Sequence, residues 1–373
     1  MTKAQFEFFA VCVPGLEPQL RDELIELGYK DARAIAGGVV LNAPLGAASD
    51  LNLRSRGATR FLVRVAQFPA VHLSQLDKKA RKLDWDSWIK PGTSVGVEAS
   101  CKRSKIYHSG AAKQRVAQAI MASMDVRSPE GDDDPDLAVM VRIDRDLCTI
   151  SLDTSGKALH KRGFKQAVGK APLRESMAAL FLRALGYDGS QAVADPLCGS
   201  GSFLLEAAQW HLGLAPGRMR SFAYQHIVGL EAQAQDLAPA TPSVTAKLTP
   251  RFFGFDRDAG AVRSATENAE RGGVASLCQF SNQSISALSA PDGVEPGLVI
   301  ANPPYGERIG EIKKLAPLYA SMGKVLAGGF TGWRVGIVTT SQQLIDATGL
   351  PFAKPGPVVH HGGIKVRLWQ CQL

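Results

Sequence analysis

The chain has 373 residues, 45% of them hydrophobic and 21% charged, with a formal net charge of +8. That length calls for two or three domains, each able to bury a core, and the basic excess favours a polyanionic partner. Its six cysteines (Cys12, Cys101, Cys148, Cys198, Cys278 and Cys371) form no CxxC pair, and no apolar stretch is long enough to span a bilayer. A disulfide framework, a metal site and a membrane anchor are therefore not expected. With no charged-then-apolar leader at the start, a reducing, cytoplasmic setting is expected instead.

In chain order, a strand is predicted over 6–13 and a helix over about 17–27, its Leu20, Leu24 and Leu27 on one face. Gly28 stops that helix, Gly37-Gly38 opens a strand over 39–41, and this small α+β unit runs to about residue 65. A second α+β segment follows, with helices near 73–82 and 111–124 and strands near 94–99, 138–143 and 148–153. The acidic tract 129–135 carries two prolines and reads as an exposed loop rather than a metal site. Basic clusters at Lys78-Lys79 with Arg81-Lys82, Lys102-Arg103 with Lys105, and Lys161-Arg162 with Lys165 strengthen the case for a polyanion. From about Lys157 strands alternate with helices, which implies a mostly parallel, doubly wound sheet. An irregular connection is expected over 230–248.

Three strand ends in that half carry chemistry. Val193-Ala194-Asp195 is an apolar strand ending in an acid, followed by the turn Pro196 to Gly201 and an Ala/Leu helix. Glycines let backbone approach a ligand, and a helix N-terminus presents free N–H groups. Phe252 to Phe255 ends at Asp256, placed to bind two ribose hydroxyls. Leu298-Val299-Ile300 leads into Asn302-Pro303-Pro304-Tyr305. Alone, that last motif is usually a Pro-rich turn. After the other two units it reads differently, because an aromatic exocyclic amine has its lone pair delocalised into the ring. An Asn side-chain oxygen and a rigid prolyl carbonyl can accept both amine hydrogens and turn the lone pair toward an electrophile, while a Tyr ring stacks on the base. The combination describes an S-adenosyl-L-methionine-dependent amine methyltransferase. Cys198, with no paired His, reads as a small residue lining the cofactor turn.

Residues from about 159 onward resemble the THUMP-domain RNA methyltransferases that make N2-methylguanosine, most of all the bacterial branch acting on large-subunit ribosomal RNA. The matching stretches are Leu159-His160-Lys161-Arg162-Gly163-Phe164, Ala171-Pro172-Leu173-Arg174-Glu175, the turn from Asp195 to Ser202, Ala215-Pro216-Gly217 with Arg220 and Phe222, and Asn302 to Arg308. Gly37-Gly38-Val39, Asn52 to Arg56 and Ser104 to Ser109 extend the likeness over nearly the whole chain. The resemblance implies a ferredoxin-like domain (1–62), a THUMP domain (63–156) and a Rossmann-like class I methyltransferase domain (157–373). It also implies RNA as partner, ribosomal RNA ahead of transfer RNA.

The expected roles follow. Asn302 and the Pro303 carbonyl orient the amine, and Tyr305 stacks on the flipped base. Asp195, Cys198, Gly199 and Gly201 line the methionine part of the cofactor, Asp256 binds its ribose, and Arg257 and Ser284 flank its adenine. Ser284 stands where many relatives carry an Asp. Glu307 and Arg308 either contact substrate or order the loop. The alternatives are a transfer-RNA guanosine-N2 enzyme, an adenine-N6 or glutamine-amide methyltransferase, and a non-catalytic RNA-binding assembly factor. Oligomeric state is left open.

Overall fold

The computed structural model describes residues 4–131, 133–166, 173–230, 251–306 and 309–373. Asp132, Ala171, Pro172, Glu307, Arg308 and positions 231–248 of the expected connection lie outside them. The chain divides into two compact units, one of Met1–Cys12, Arg21–Leu159 and Arg220–Ala238, the other of Val13–Leu20, His160–Met219 and Pro239–Leu373.

The N-terminal elements are β1 (Gln5–Val11), α1 (Glu17–Glu26), β2 (Arg33–Ile35), β3 (Gly38–Pro44), α2 (Ala47–Arg54), β4 (Arg60–Pro69), α3 (Leu73–Ala80), β5 (Val95–Lys102), α4 (Ser109–Ser123), β6 (Leu137–Asp144) and β7 (Leu147–Asp153). The first unit's sheet runs β2-β3-β1-β4-β7-β6-β5. Residue 62 lies inside β4, which pairs with β1 on one side and β7 on the other, so one continuous sheet carries both N-terminal segments. That strand, β2 and α2 are absent from the sequence reading. In β4 the alternation is present, Phe61 and Val63 being fully buried, but apolar Leu62 and Val65, only partly buried, blur it. The Asn52 to Arg56 stretch is a buried polar knot. Asn52 Nδ2 donates to Thr154 Oγ1 (2.8 Å), and the backbone N–H groups of Arg56 and Gly57 donate to the Glu23 carboxylate at 2.6 and 2.9 Å. Residues 220–230, expected in the catalytic half, belong to this unit: Val228 N–H donates to Trp88 O, and Lys90 N–H to His226 O, both at 3.0 Å.

The second unit contains α5 (Glu175–Ala184), β8 (Val193–Asp195), α6 (Ser202–His211), β9 (Phe252–Asp256), α7 (Ala259–Arg271), β10 (Cys278–Asn282), β11 (Leu298–Ala301), α8 (Ile309–Gly329), β12 (Arg334–Thr339), α9 (Gln342–Ala347), β13 (Val359–His361) and β14 (Ile364–Gln372). Its sheet order is β10-β9-β8-β11-β12-β14-β13. The five strands β10 to β12 are parallel, and β14 is antiparallel to both neighbours. Val299 and Ala301 pack with Tyr319, Met322 and Leu326 of α8, whereas Leu298 and Ile300, facing the other way along the pleat, are equally buried. Both faces of the sheet are therefore covered, as parallel strands require. Chain order reverses at β8, with β9 and β10 on one side and β11 and β12 on the other. In such sheets ligands bind beyond the carboxyl ends of the strands flanking that switch point.

Candidate active site

Asp195 ends β8 and is 2% exposed. Leu197 N–H donates to its Oδ1 at 3.1 Å. Burial, with Asp256 adding like charge, pushes its carboxyl up to about 8 despite that bond. The turn that follows closes on itself, Gly201 N–H donating to Cys198 O at 2.8 Å. Gly201 is the N-cap of α6 with φ 85°, a conformation that costs a glycine little. The neighbouring strand holds the turn: Cys198 N–H donates to Phe255 O (2.9 Å) and Gly199 N–H to Asp256 Oδ2 (3.0 Å). Asp256 Oδ1 accepts from Asp258 N–H at 3.0 Å, so each carboxylate oxygen keeps a further lone pair available. The Cys198 thiol is pushed up by burial and by the charges of Asp195 and Asp256. It stays a thiol, which removes it as a nucleophile. Arg257 and Ser284 are exposed, and Ser284 Oγ lies 3.0 Å from Ser286 Oγ. Asp195, Asp256 and Asn302 thus fall at the carboxyl ends of β8, β9 and β11, and Ser284 just beyond β10.

Beyond β11, Asn302 is half-buried, and its Oδ1 is buried with no hydrogen-bond partner among the described residues. Pro303 is buried and Pro304 exposed. Two tyrosines anchor the loop. Tyr319 of α8, fully buried, donates to Pro304 O at 3.3 Å, and its Oη lies 3.1 Å from Thr339 Oγ1, whose hydroxyl donates to it. Tyr305 is half-buried, and its Oη lies 3.1 Å from His361 Nδ1. Burial pushes its phenol up, so the ring stays neutral. Neither Tyr319 nor His361 figures in the sequence reading. The turn glycines Gly362-Gly363 after His361 were the available sign of a hairpin there.

Two of the expected polyanion-binding cations are corrected. Arg162 pairs with Glu206 at 3.0 Å, their side chains 1% and 0% exposed. Lys165, 4% exposed, pairs with Glu175 at 3.0 Å and donates to Ser202 Oγ at 2.6 Å. Ser202 Oγ in turn donates to Leu173 O at 3.1 Å. These cations fix the segment before α5 onto the start of α6 and do not face solvent. In the first unit, by contrast, Lys78, Lys82, Lys102 and Lys105 are exposed, and Tyr107, between them and α4, is 84% exposed. Among the described residues no group of three or more His, Cys, Asp or Glu is assembled, and no helix is long and apolar enough to cross a membrane.

Strand order, the glycine turn after β8 and the Asn-Pro-Pro-Tyr loop after β11 define a class I methyltransferase fold. Residues 162–354, over half the chain, match the RMKL-like methyltransferase domain, and the chain belongs to that family. Residues 7–62 match the RlmL ferredoxin-like domain and residues 70–153 the THUMP domain. The chain is 35% identical, over 98% of its length, to a protein of Syntrophotalea carbinolica named ribosomal RNA large subunit methyltransferase K/L, of which it covers 53%. It spans about half the length of the curated relatives it matches. Among solved structures, a possible methylase from Clostridium difficile 630 superposes with a TM-score of 0.87 at 27% identity, covering 99% of this chain and 98% of that one. A putative methyltransferase solved in complex with SAH superposes with a TM-score of 0.86 at 26% identity, covering 100% and 99%.

Proposed function

We propose that the chain is an S-adenosyl-L-methionine-dependent enzyme that methylates the exocyclic N2 amine of a guanosine in large-subunit (23S) ribosomal RNA. The observation that carries this reading is the buried Oδ1 of Asn302, which has no hydrogen-bond partner among the described residues. Leaving such an acceptor unsatisfied costs about 1–3 kcal/mol, and a hydrogen from a planar base amine satisfies it. The names of the relatives support ribosomal RNA as substrate, and the THUMP match supports RNA binding by the N-terminal half. The division at 62 and 156 belongs to the same proposal. The six cysteines are scattered and form no CxxC pair, which favours a cytoplasmic setting.

The residues present fit the cofactor. Asp195 is a buried carboxyl pushed toward its protonated form with no cation beside it among the described residues, and a cationic ligand would favour its ionised form. S-adenosylmethionine brings an electrophilic methyl on a sulfonium centre. Asp195, Cys198, Gly199 and Gly201 line its methionine part, Asp256 takes the ribose hydroxyls with its remaining lone pairs, and Arg257 and Ser284 flank the adenine. Asn302 Oδ1 and the Pro303 carbonyl accept the two amine hydrogens and turn the nitrogen lone pair outward. Tyr305 presents its ring face to the flipped base. The Cys198 thiol, pushed up by burial, serves as no base, and none is needed before attack. As the methyl passes to the nitrogen its bond to the sulfonium sulfur would break, leaving a neutral thioether; the nitrogen, acidified by the new bond, would then lose its proton to water, so orientation carries most of the rate.

Asn302→Ala tests the reading. Turnover should collapse with little change in RNA affinity, because the hydrogen bonds it removes matter mainly in the transition state. The product should be N2-methylguanosine by nucleoside mass spectrometry of protein-free or partly assembled large-subunit RNA. Near-normal turnover by the variant excludes the amine-orienting role, and methylation of transfer RNA alone moves the substrate assignment to tRNA.

A further inference from the structure

The hydrogen bond between Tyr305 and His361 joins groups 56 residues apart in sequence. Stacking uses the face of the Tyr305 ring and has no need of its hydroxyl, so the bond serves something else. Tyr305 enters the site from a loop, where the ring is free to swing about χ1 and tilt about χ2. At the backbone end that freedom is limited by Pro304, whose carbonyl Tyr319 holds. At the far end it is limited by His361.

The support behind His361 is rigid. Gly362 and Gly363 have φ of 57° and 90°, so β13 and β14 are joined by a two-residue loop with both central residues left-handed. Such loops match the twist of the strands they join, and they fix register. His361 therefore faces Ile364, with the stem locked below by the Val359–Val366 pair, 1% and 0% exposed. β14 is paired to β12 from Arg334–Gln372 through Thr339–Arg367, and Thr339 is the residue whose Oγ1 is hydrogen-bonded to Tyr319 Oη. Both tethers of the Asn-Pro-Pro-Tyr loop thus lead back to the β12–β14 pair.

We propose that His361 is a positioning residue that sets the tilt of the Tyr305 ring, making the C-terminal hairpin part of the wall against which the target base is held. This rests on the reading of Tyr305 as the stacking platform. When Nδ1 is unprotonated the phenol donates to it; when Nδ1 carries a proton it donates to the phenol oxygen. The ring is held in either case, so the function is mechanical.

The test uses the full chain with S-adenosylmethionine and large-subunit RNA, comparing Tyr305→Phe, His361→Leu, the double variant and His361→Gln. Each single loss should lower kcat by about tenfold to a hundredfold, the scale of an ångström-sized misplacement, with the dissociation constants for cofactor and RNA unchanged. The double variant should be no worse than either single, because both remove one bond. His361→Gln, which keeps a hydrogen-bonding group, should recover part of the loss. Wild-type kcat in folded His361→Leu, or additive losses in the double variant, overturns the proposal. If Asn302→Ala is inactive beside an active His361→Leu, the methyl-transfer reading stands and the positioning role alone falls. If Asn302→Ala is active as well, the reading of the site falls and the proposal goes with it.

Discussion

Replacing Asp195 by Asn removes a charge that the fold is poorly equipped to bury. Asp195 ionises near 3.8 in an unfolded chain, whereas burial in the folded protein holds its proton up to about 8. Between those values the folded state binds the extra proton, so stability falls as pH rises by about 1.4 kcal/mol per unit and levels off above the folded value. An amide has the same shape and does not titrate. Relative to the parent, Asp195→Asn should therefore gain about 2 kcal/mol at pH 5 and about 4 kcal/mol at pH 7. For a unit of this size each kcal/mol moves the melting temperature by about 2–4 °C. Scanning calorimetry of cofactor-free protein between pH 4 and 9 should show the gap between variant and parent widening with pH. Adding S-adenosylmethionine should then stabilise the parent more than the variant, because the amide offers the cation no counter-charge. A gap that is constant or narrows with pH refutes the burial argument.

Asp256→Ala should weaken cofactor binding by about 1.5–3 kcal/mol for each hydrogen bond to the charged acceptor that it removes, read by calorimetric titration. Unchanged affinity would show the ribose contact to be misassigned. In the first unit, Lys102→Ala with Lys105→Ala should reduce the salt dependence of RNA binding by about one unit of slope for each phosphate that is no longer neutralised. Tyr107→Ala should cost about 1–3 kcal/mol if a base stacks on that exposed ring. RNA affinity indifferent to all three changes would remove this face as the RNA surface. A truncated chain beginning near residue 157 separates residues 220–230 from the unit that buries Ala223, Tyr224 and Ile227. It should melt lower than the same unit in the intact chain and bind an apolar-surface dye, and melting at the parental temperature contradicts that placement.

The strand-end placement of three candidate residues was readable because their signals are local. Asp195, Asp256 and Asn302 each follow an apolar run, and a polar residue ending such a run falls at the carboxyl edge of a parallel sheet. The parts that escaped are those whose meaning depends on a distant partner. Arg162 and Lys165 look like surface cations until Glu206 and Glu175 are brought against them. Tyr319 sits in an apolar helix face, and nothing near it in sequence indicates that its hydroxyl reaches Pro304. Strand β4 escaped for a related reason: apolar Leu62 and Val65, only partly buried, blur the inward alternation of Phe61 and Val63, while the outward Arg60 and Arg64 find their partners in the distant Asp153 and Glu7. That strand joins the two N-terminal segments into one sheet.

Unmatched polar groups occur on the ligand side of the site but are not confined to it. Behind the loops Arg162 is met by Glu206, Lys165 by Glu175 and Ser202, and Tyr319 by Pro304 and Thr339, while Ser176 Oγ and Trp369 Nε1 are buried with no hydrogen-bond partner among the described residues. On the ligand side Asp195 is buried and pushed toward its protonated form with no cation beside it among the described residues, and the Oδ1 of Asn302 is buried with no partner among them. Each carries a cost of folding that the apolar core has to offset. A sequence selected for stability alone would replace both, the carboxylate by an amide and the asparagine by an apolar residue. Their retention in the fold at adjoining strand ends, β8 beside β11, argues that a cationic group and a hydrogen-bond donor are brought there together. A sulfonium cofactor and a base amine meet both requirements at once, and that joint demand is more restrictive than either residue alone.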